Sequence, residues 1–241
     1  RPLVDPDVTE PLRDELRWAA GRLGGARDAE VVALRILALL DEVAGDAPAE
    51  VVQRLRARVR ADTEAGLDLV SETLDGTRYA AALALLDATV AHPPWTGAAT
   101  KGARRTARKG LRRESRRVLG LAEHAWGTAD PERRALLLHD VRKAAKRLRY
   151  AAETAEPVLG AAATRIADAA SRVQSTLGDH HDDVVTRAAL RRLALADEGT
   201  EAAAFLLGRL DLVEDRAAHR LERRGAKDVR RLATVVSRSL V

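Results

Sequence analysis

His139-Asp140-Val141-Arg142-Lys143-Ala144-Ala145-Lys146-Arg147-Leu148-Arg149-Tyr150 is the stretch from which the fold of this chain is read. At 100° per residue, with His139 at zero, Arg142 lies at about −60°, Lys143 at about +40°, Lys146 at about −20° and Tyr150 at about +20°. One helical face therefore presents His, Arg, Lys, Lys and Tyr along about 16 Å. Nothing acidic lies on that face within the segment, and the next acidic residue on it is Glu153. Like charges three and four residues apart repel by a few tenths of a kcal/mol per pair, so a helix selected for stability alone would intersperse glutamate. A solvated basic face is the plain alternative. His139 and Tyr150 count against it, because both donate hydrogen bonds to an anion and neither is needed for solubility. Upstream, Asp130-Pro131 has the form of an N-cap followed by proline at the first helical position.

A second basic segment precedes it. Arg104, Arg108, Arg112 and Arg116 recur every four residues, shadowed by Arg105, Lys109, Arg113 and Arg117, with Lys101 ahead of them. Ala107, Leu111, Ser115, Val118 and Ala122 form a narrow apolar edge, and the basic side cannot be buried without anions. The chain's net charge of +5 hides this distribution: residues 101–120 carry +8 and residues 139–150 carry +4, leaving −7 for the other 209. The positive charge is local, on an otherwise acidic protein.

Of the 241 residues none is cysteine or methionine, which removes disulfides and thiolate chemistry. The missing initiator also predicts that residue 1 is not the gene's first. No stretch approaches the roughly 18 uncharged apolar residues that a membrane span requires, so a cytoplasmic protein is expected. Only six aromatic residues are present, so the core is expected to be Leu, Val and Ala.

Alanine, leucine, arginine and glutamate favour helix, and no sustained alternation marks a strand. Breaks are expected at Gly24-Gly25, Gly45 to Pro48, Asp75-Gly76, His92 to Gly97, Gly127 to Pro131, Glu156-Pro157, Leu177 to Asp179, Asp197 to Thr200 and Gly225. Ala47-Pro48 and Glu156-Pro157 read as further proline-first starts. That predicts an all-α chain of about ten helices in antiparallel bundles. The longest break, Ala91 to Thr100, divides it into residues 1–91, a linker 92–100, and residues 101–241. The pattern Leu-Gly-x-x-x-Asp-x-x-Val occurs at Leu23 to Val31 and again at Leu177 to Val185, an offset of 154. Each copy reads as a turn between two helices, with Gly ending one and Asp in the first turn of the next.

Four classes of partner suit the charge: nucleic acid, an anionic membrane surface, a polyanion such as polyphosphate, or an acidic protein. Arginine's planar fork suits phosphate oxygens in each case. Binders of single-stranded nucleic acid add aromatic stacking platforms, yet only Tyr150 lies inside a basic segment, and no zinc finger, RNP1 motif or helix-turn-helix is recognisable. This favours a ligand that is phosphate and little else, with a nucleic-acid-binding helical protein as the alternative. His180-His181-Asp182-Asp183 offers only His180 and Asp183 at useful spacing, and two ligands do not close a metal site. No P-loop, Gly-x-Ser-x-Gly, His-Glu-x-x-His or cysteine nucleophile is present, so neither catalysis nor a cofactor is expected.

His139-x-x-Arg142-Lys143-x-x-Lys146-Arg147-Leu148-Arg149-Tyr150, followed by Leu177-Gly178 and Asp182, resembles the second half of a CHAD domain (conserved histidine α-helical domain). Arg17-Trp18 through Leu23-Gly24-x-x-Arg27-Asp28-x-x-Val31 resembles the corresponding part of its first half. The resemblance implies two four-helix bundles related by a pseudo-twofold, with a basic groove or channel between them. It also implies binding of inorganic polyphosphate, association with polyphosphate granules, and polyphosphate-metabolising enzymes or granule proteins as partners. On this reading the site comprises His139, Arg142, Lys143, Lys146, Arg147, Arg149 and Tyr150, together with Lys101, Arg104, Arg105, Arg108, Lys109, Arg112 and Arg116, and Arg27 from the first half. The family carries the basic helix in both halves. The offset places the first copy before residue 1, which predicts a further basic helix upstream; a start codon immediately before Arg1 would refute that.

Overall fold

A computed structural model of the chain describes residues 3–45, 47–196 and 200–240, the side chain of Ala65 excepted. Among these the chain is all-helical: α1 (Pro6–Val43), α2 (Ala49–Leu74), α3 (Thr77–Ala91), a 3-10 turn (Gly97–Thr100), α4 (Ala103–Gly127), α5 (Pro131–Leu159), α6 (Ala161–Ala196) and α7 (Glu201–Ser239). The expected all-α class holds, but the expected ten helices are seven. The breaks at Asp75-Gly76, His92 to Gly97 and Gly127 to Pro131 occur, as does that around Gly45 to Pro48, where Asp46 lies outside the described residues. Of Asp197 to Thr200, only Thr200 is described.

Four expected breaks are instead helix interior, at Gly24-Gly25, Glu156-Pro157, Leu177 to Asp179 and Gly225. Glycine inside a helix costs about 1 kcal/mol relative to alanine, which packing can outweigh. A Cβ on Gly225 would lie 2.8 Å from Leu177 Cδ2, so this glycine is the clearance that lets α7 close onto α6. Two residues that read as separate breaks are one helix–helix contact. Pro157 sits in the last turn of α5 and does not start a helix; the stop is Gly160, at φ 55°, whose N–H donates to the Glu156 carbonyl at 2.8 Å. The two Leu-Gly-x-x-x-Asp copies are therefore not turns: both lie inside long helices. Adding the offset of 154 to the bounds of α1 gives 160–197, against Ala161–Ala196 for α6.

Capping follows the sequence at α5, where the Asp130 carboxylate accepts from the Glu132 N–H at 3.0 Å with Pro131 at the first helical position. Asp5-Pro6 does the same at α1, with the Asp7 N–H donating to Asp5 Oδ1 at 3.0 Å. Pro48 instead occupies the cap position of α2, with no side-chain bond. Asp130→Ala is expected to lower stability by about 1 kcal/mol in urea denaturation. Ahead of α1, the Asp5 N–H donates to the Pro94 carbonyl at 2.8 Å and the Thr96 N–H to the Leu3 carbonyl at 2.9 Å, tying the chain's start to the segment before the 3-10 turn.

The chain forms two compact units, Arg1–Lys101 with Ala189–Leu210, and Gly102–Ala188 with Asp211–Val241. In the first, α1 packs on α2 and α3, with Ile36, Leu39 and Leu40 of α1 and Val51, Leu55 and Val59 of α2 buried. The second holds one continuous core from α4, α5, α6 and α7, in which Val118, Leu138, Leu148, Ile166, Val173, Leu177 and Leu232 are fully buried. Leu, Val and Ala, the residues expected from composition, make up this core together with Ile166, and Trp126 packs against it.

Candidate functional site

On α4 the apolar edge read from the sequence is the buried one: Leu111, Ser115, Val118 and Ala122 are buried and Ala107 packs against the core. That orientation pushes the four-residue arginine series outward. Arg104, Arg105, Arg108, Lys109, Arg112 and Arg116 line a single open basin. Arg112 donates to the Leu240 carbonyl, and Arg116 Nε to the Arg112 carbonyl at 3.2 Å. Within the described residues no hydrogen bond or ion pair holds Arg104, Arg105, Arg108 or Lys109. Among the described residues, six like charges thus converge with no carboxylate lining the basin, an arrangement that a bound polyanion would relieve. Arg113 turns to Glu114 at 3.0 Å and does not line the basin.

The α5 set is divided by burial. His139, Arg142 and Arg149 are half-buried, whereas Lys143, Lys146, Arg147 and Tyr150 are exposed. Arg142 lies against α6, its Nε 3.4 Å from where a Cβ on Gly178 would stand, and that Nε is buried without a hydrogen-bond partner. The glycine of the repeated motif is thus a seat for Arg142 where the sequence suggested a helix stop. Lys143 pairs with Asp140 at 2.7 Å and Arg149 with Glu153 at 3.5 Å, so the stripe is less free of acid than its angular spacing implies. Arg149 and Lys146 lie 4.8 and 5.8 Å from the centre of the Tyr150 ring, where cation–π attraction orients both. None of these α5 side chains lines the α4 basin.

Histidine fills the space where α5 meets α6. The rings of His139 and His181 are 4.0 Å apart at 35°, and His139 Nδ1 is buried with no hydrogen-bond partner. Burial, then His181, Lys143 and Arg142, push His139 down to about 4, with Asp140 opposing. His180, buried at 4% exposure, is also pushed to about 4, by burial and then by His181, His219 and Arg134. Both are therefore neutral near pH 7. No group of three or more metal-ligating side chains comes together among the described residues.

Of the remaining expected residues, Arg27 is on α1, exposed and paired with Glu30 at 2.9 Å, and Lys101 is exposed just after the 3-10 turn; both belong to the first unit. Arg134 escaped the sequence reading. It is half-buried, forms an ion pair with Glu222 at 2.8 Å and donates to the Thr128 carbonyl at 2.9 Å, and no periodicity singles it out. The contact of His181 is not legible in the sequence, because the Leu-Gly-x-x-x-Asp pattern around it has the form of a turn while the residue lies inside α6. No helix among the described residues is long and apolar enough to cross a membrane.

The fold has a solved counterpart in PptA from Streptomyces chartreusis, with a TM-score of 0.76 at 18% identity, covering 95% of this chain and 82% of that one. Two uncharacterized proteins from two strains of Mycobacterium tuberculosis, MT2285 and Rv2226, are 33% identical over 94% of the chain. The chain spans 43% of the length of each. The CHAD domain matches residues 1–191, which contain α1 to α5 and most of α6, including the basic α4 and α5 faces and both copies of the repeated motif. With that match across most of its length, this chain belongs to the CHAD domain family.

Proposed function

We propose that the chain is a non-catalytic binding module for inorganic polyphosphate. The observation that carries this reading is the α4 basin, where Arg104, Arg105, Arg108, Lys109, Arg112 and Arg116 converge with no carboxylate among the described lining residues. A linear chain of phosphates supplies closely spaced anions and no bases to read, which fits a surface of arginine forks with few aromatics. The exposed α5 cations Lys143, Lys146 and Arg147 extend the positive surface of the same unit. Binding is electrostatic, with Arg and Lys displacing the counterions of the polyanion. Localisation to polyphosphate granules and partnership with the enzymes or proteins found there belong to this reading.

Six phosphate contacts predict that the logarithm of affinity falls with the logarithm of salt at a slope of about −4. Calorimetry with long polyphosphate at several salt concentrations measures that slope, and the same titration with tripolyphosphate should give markedly weaker binding. Equal affinity for the two lengths would argue against an extended site. Single-stranded DNA that displaces long polyphosphate at equal phosphate equivalents would favour a nucleic-acid ligand instead.

A further inference from the structure

The contact between His139 of α5 and His181 of α6 has no structural need that its chemistry explains. A tilted pair of imidazole rings in which His139 Nδ1 is buried without a hydrogen-bond partner forgoes a hydrogen bond that an apolar pair would not miss. The repeat sharpens the point. Under the offset of 154 the residue matching His181 is Arg27, so the same position carries a permanent cation in one copy and a titratable one in the other.

We propose that the His139–His181 pair is a proton acceptor coupled to anion binding: one proton enters the pair when a polyanion settles against the α5 face, and binding tightens as the pH falls. This rests on the polyphosphate reading above. The charges around the pair explain the coupling. From α5, Arg142 and Lys143 repel a proton on His139 and Asp140 attracts it, although Asp140 is already held by Lys143. On α6 the carboxylates Asp182 and Asp183 follow His181, and all three are engaged in interactions of their own or with one another. His180, next along α6, faces His219 of α7 and Arg134 of α5. Without ligand, burial first, then His181 and the cations Lys143 and Arg142, keep His139 neutral to about pH 4. An anion beside Arg142 and Lys143 offsets their repulsion and adds attraction, so the field at the pair changes sign. Two touching imidazoles then hold one proton between them and resist a second, because each charged ring opposes the other.

The linkage has a definite direction. The bound state holds more proton than the free state, so affinity rises as pH falls, by up to about tenfold per pH unit for one proton. The test is calorimetry with long-chain polyphosphate at pH 6 in MES and in Bis-Tris, which differ in ionisation enthalpy. Uptake of about half to one proton per binding event is expected, with affinity rising about two- to tenfold between pH 7.5 and pH 6. His181→Arg should show no uptake and a flattened pH dependence, since His139 then stays neutral beside a permanent cation; H139Q/H181Q should also take up none. Binding with the same enthalpy in both buffers overturns the proposal, as does uptake that persists in H139Q/H181Q. No binding at any pH overturns the polyphosphate reading itself.

Discussion

On the proposed polyphosphate reading, replacing Arg104, Arg108 and Lys109 together by alanine is expected to lower affinity for long polyphosphate about 100-fold at 0.1 M salt. Each phosphate neutralised contributes about 0.7 to the salt exponent, which at 0.1 M salt is a factor of about five per contact, and three contacts multiply to about 100. These three are chosen because no group among the described residues holds them, so their removal leaves no described partner unpaired. Losing like charges at three- and four-residue spacing relieves a few tenths of a kcal/mol per pair, so the variant should melt no lower than the parent. Arg113 and Arg117 lie on the same helix outside the basin and supply the control for bulk charge. If Arg113→Ala with Arg117→Ala weakens binding as much as the basin triple, the basin is not the site. Arg142→Ala, Lys143→Ala and Lys146→Ala combined test the α5 face in the same assay. There the interpretation needs a melting curve beside it, because Arg142 is half-buried against α6.

What could be read in advance divides along a physical line. Charge at four-residue spacing needs only one helix to interpret, so the α4 stripe and its buried edge at Leu111, Ser115, Val118 and Ala122 are legible in the sequence. The cap at Asp130-Pro131 is equally local. Gly178 and Gly225 are not local. Each sits inside a helix because of something brought by another helix, Arg142 in one case and Leu177 in the other, and a single sequence shows a helix breaker at both. The same limit applies to α5. Its angular spacing places His139, Arg142, Lys143, Lys146 and Tyr150 on one face, but α6 decides that Arg142 is half-buried, and that His139 meets another ring. The repeat at offset 154 was visible, and it does relate α1 to α6, but as matching stretches of two long helices.

Leu177→Ala is expected to destabilise the second unit by about 2–5 kcal/mol, the range for emptying a fully buried leucine site. Leu177 is 0% exposed and touches the space kept open by Gly225. The equivalent leucine of the first repeat, Leu23, is only half-buried, so Leu23→Ala should cost about 1 kcal/mol or less by the smaller apolar area lost. The tighter test is the pair. Gly225→Ala alone gains about 1 kcal/mol of helix propensity but forces a methyl into a 2.8 Å contact with Leu177 Cδ2. Relieving that overpacking costs about 1–3 kcal/mol, so the single change is neutral to destabilising. In the Leu177→Ala background the obstruction is gone and the new methyl fills part of the vacated space, so Gly225→Ala becomes stabilising by about 1 kcal/mol or more. The double-mutant cycle in urea should therefore give a favourable coupling of about 1–3 kcal/mol. Additive single effects would mean that the two residues do not share the contact, and that the glycine in α7 has some other cause.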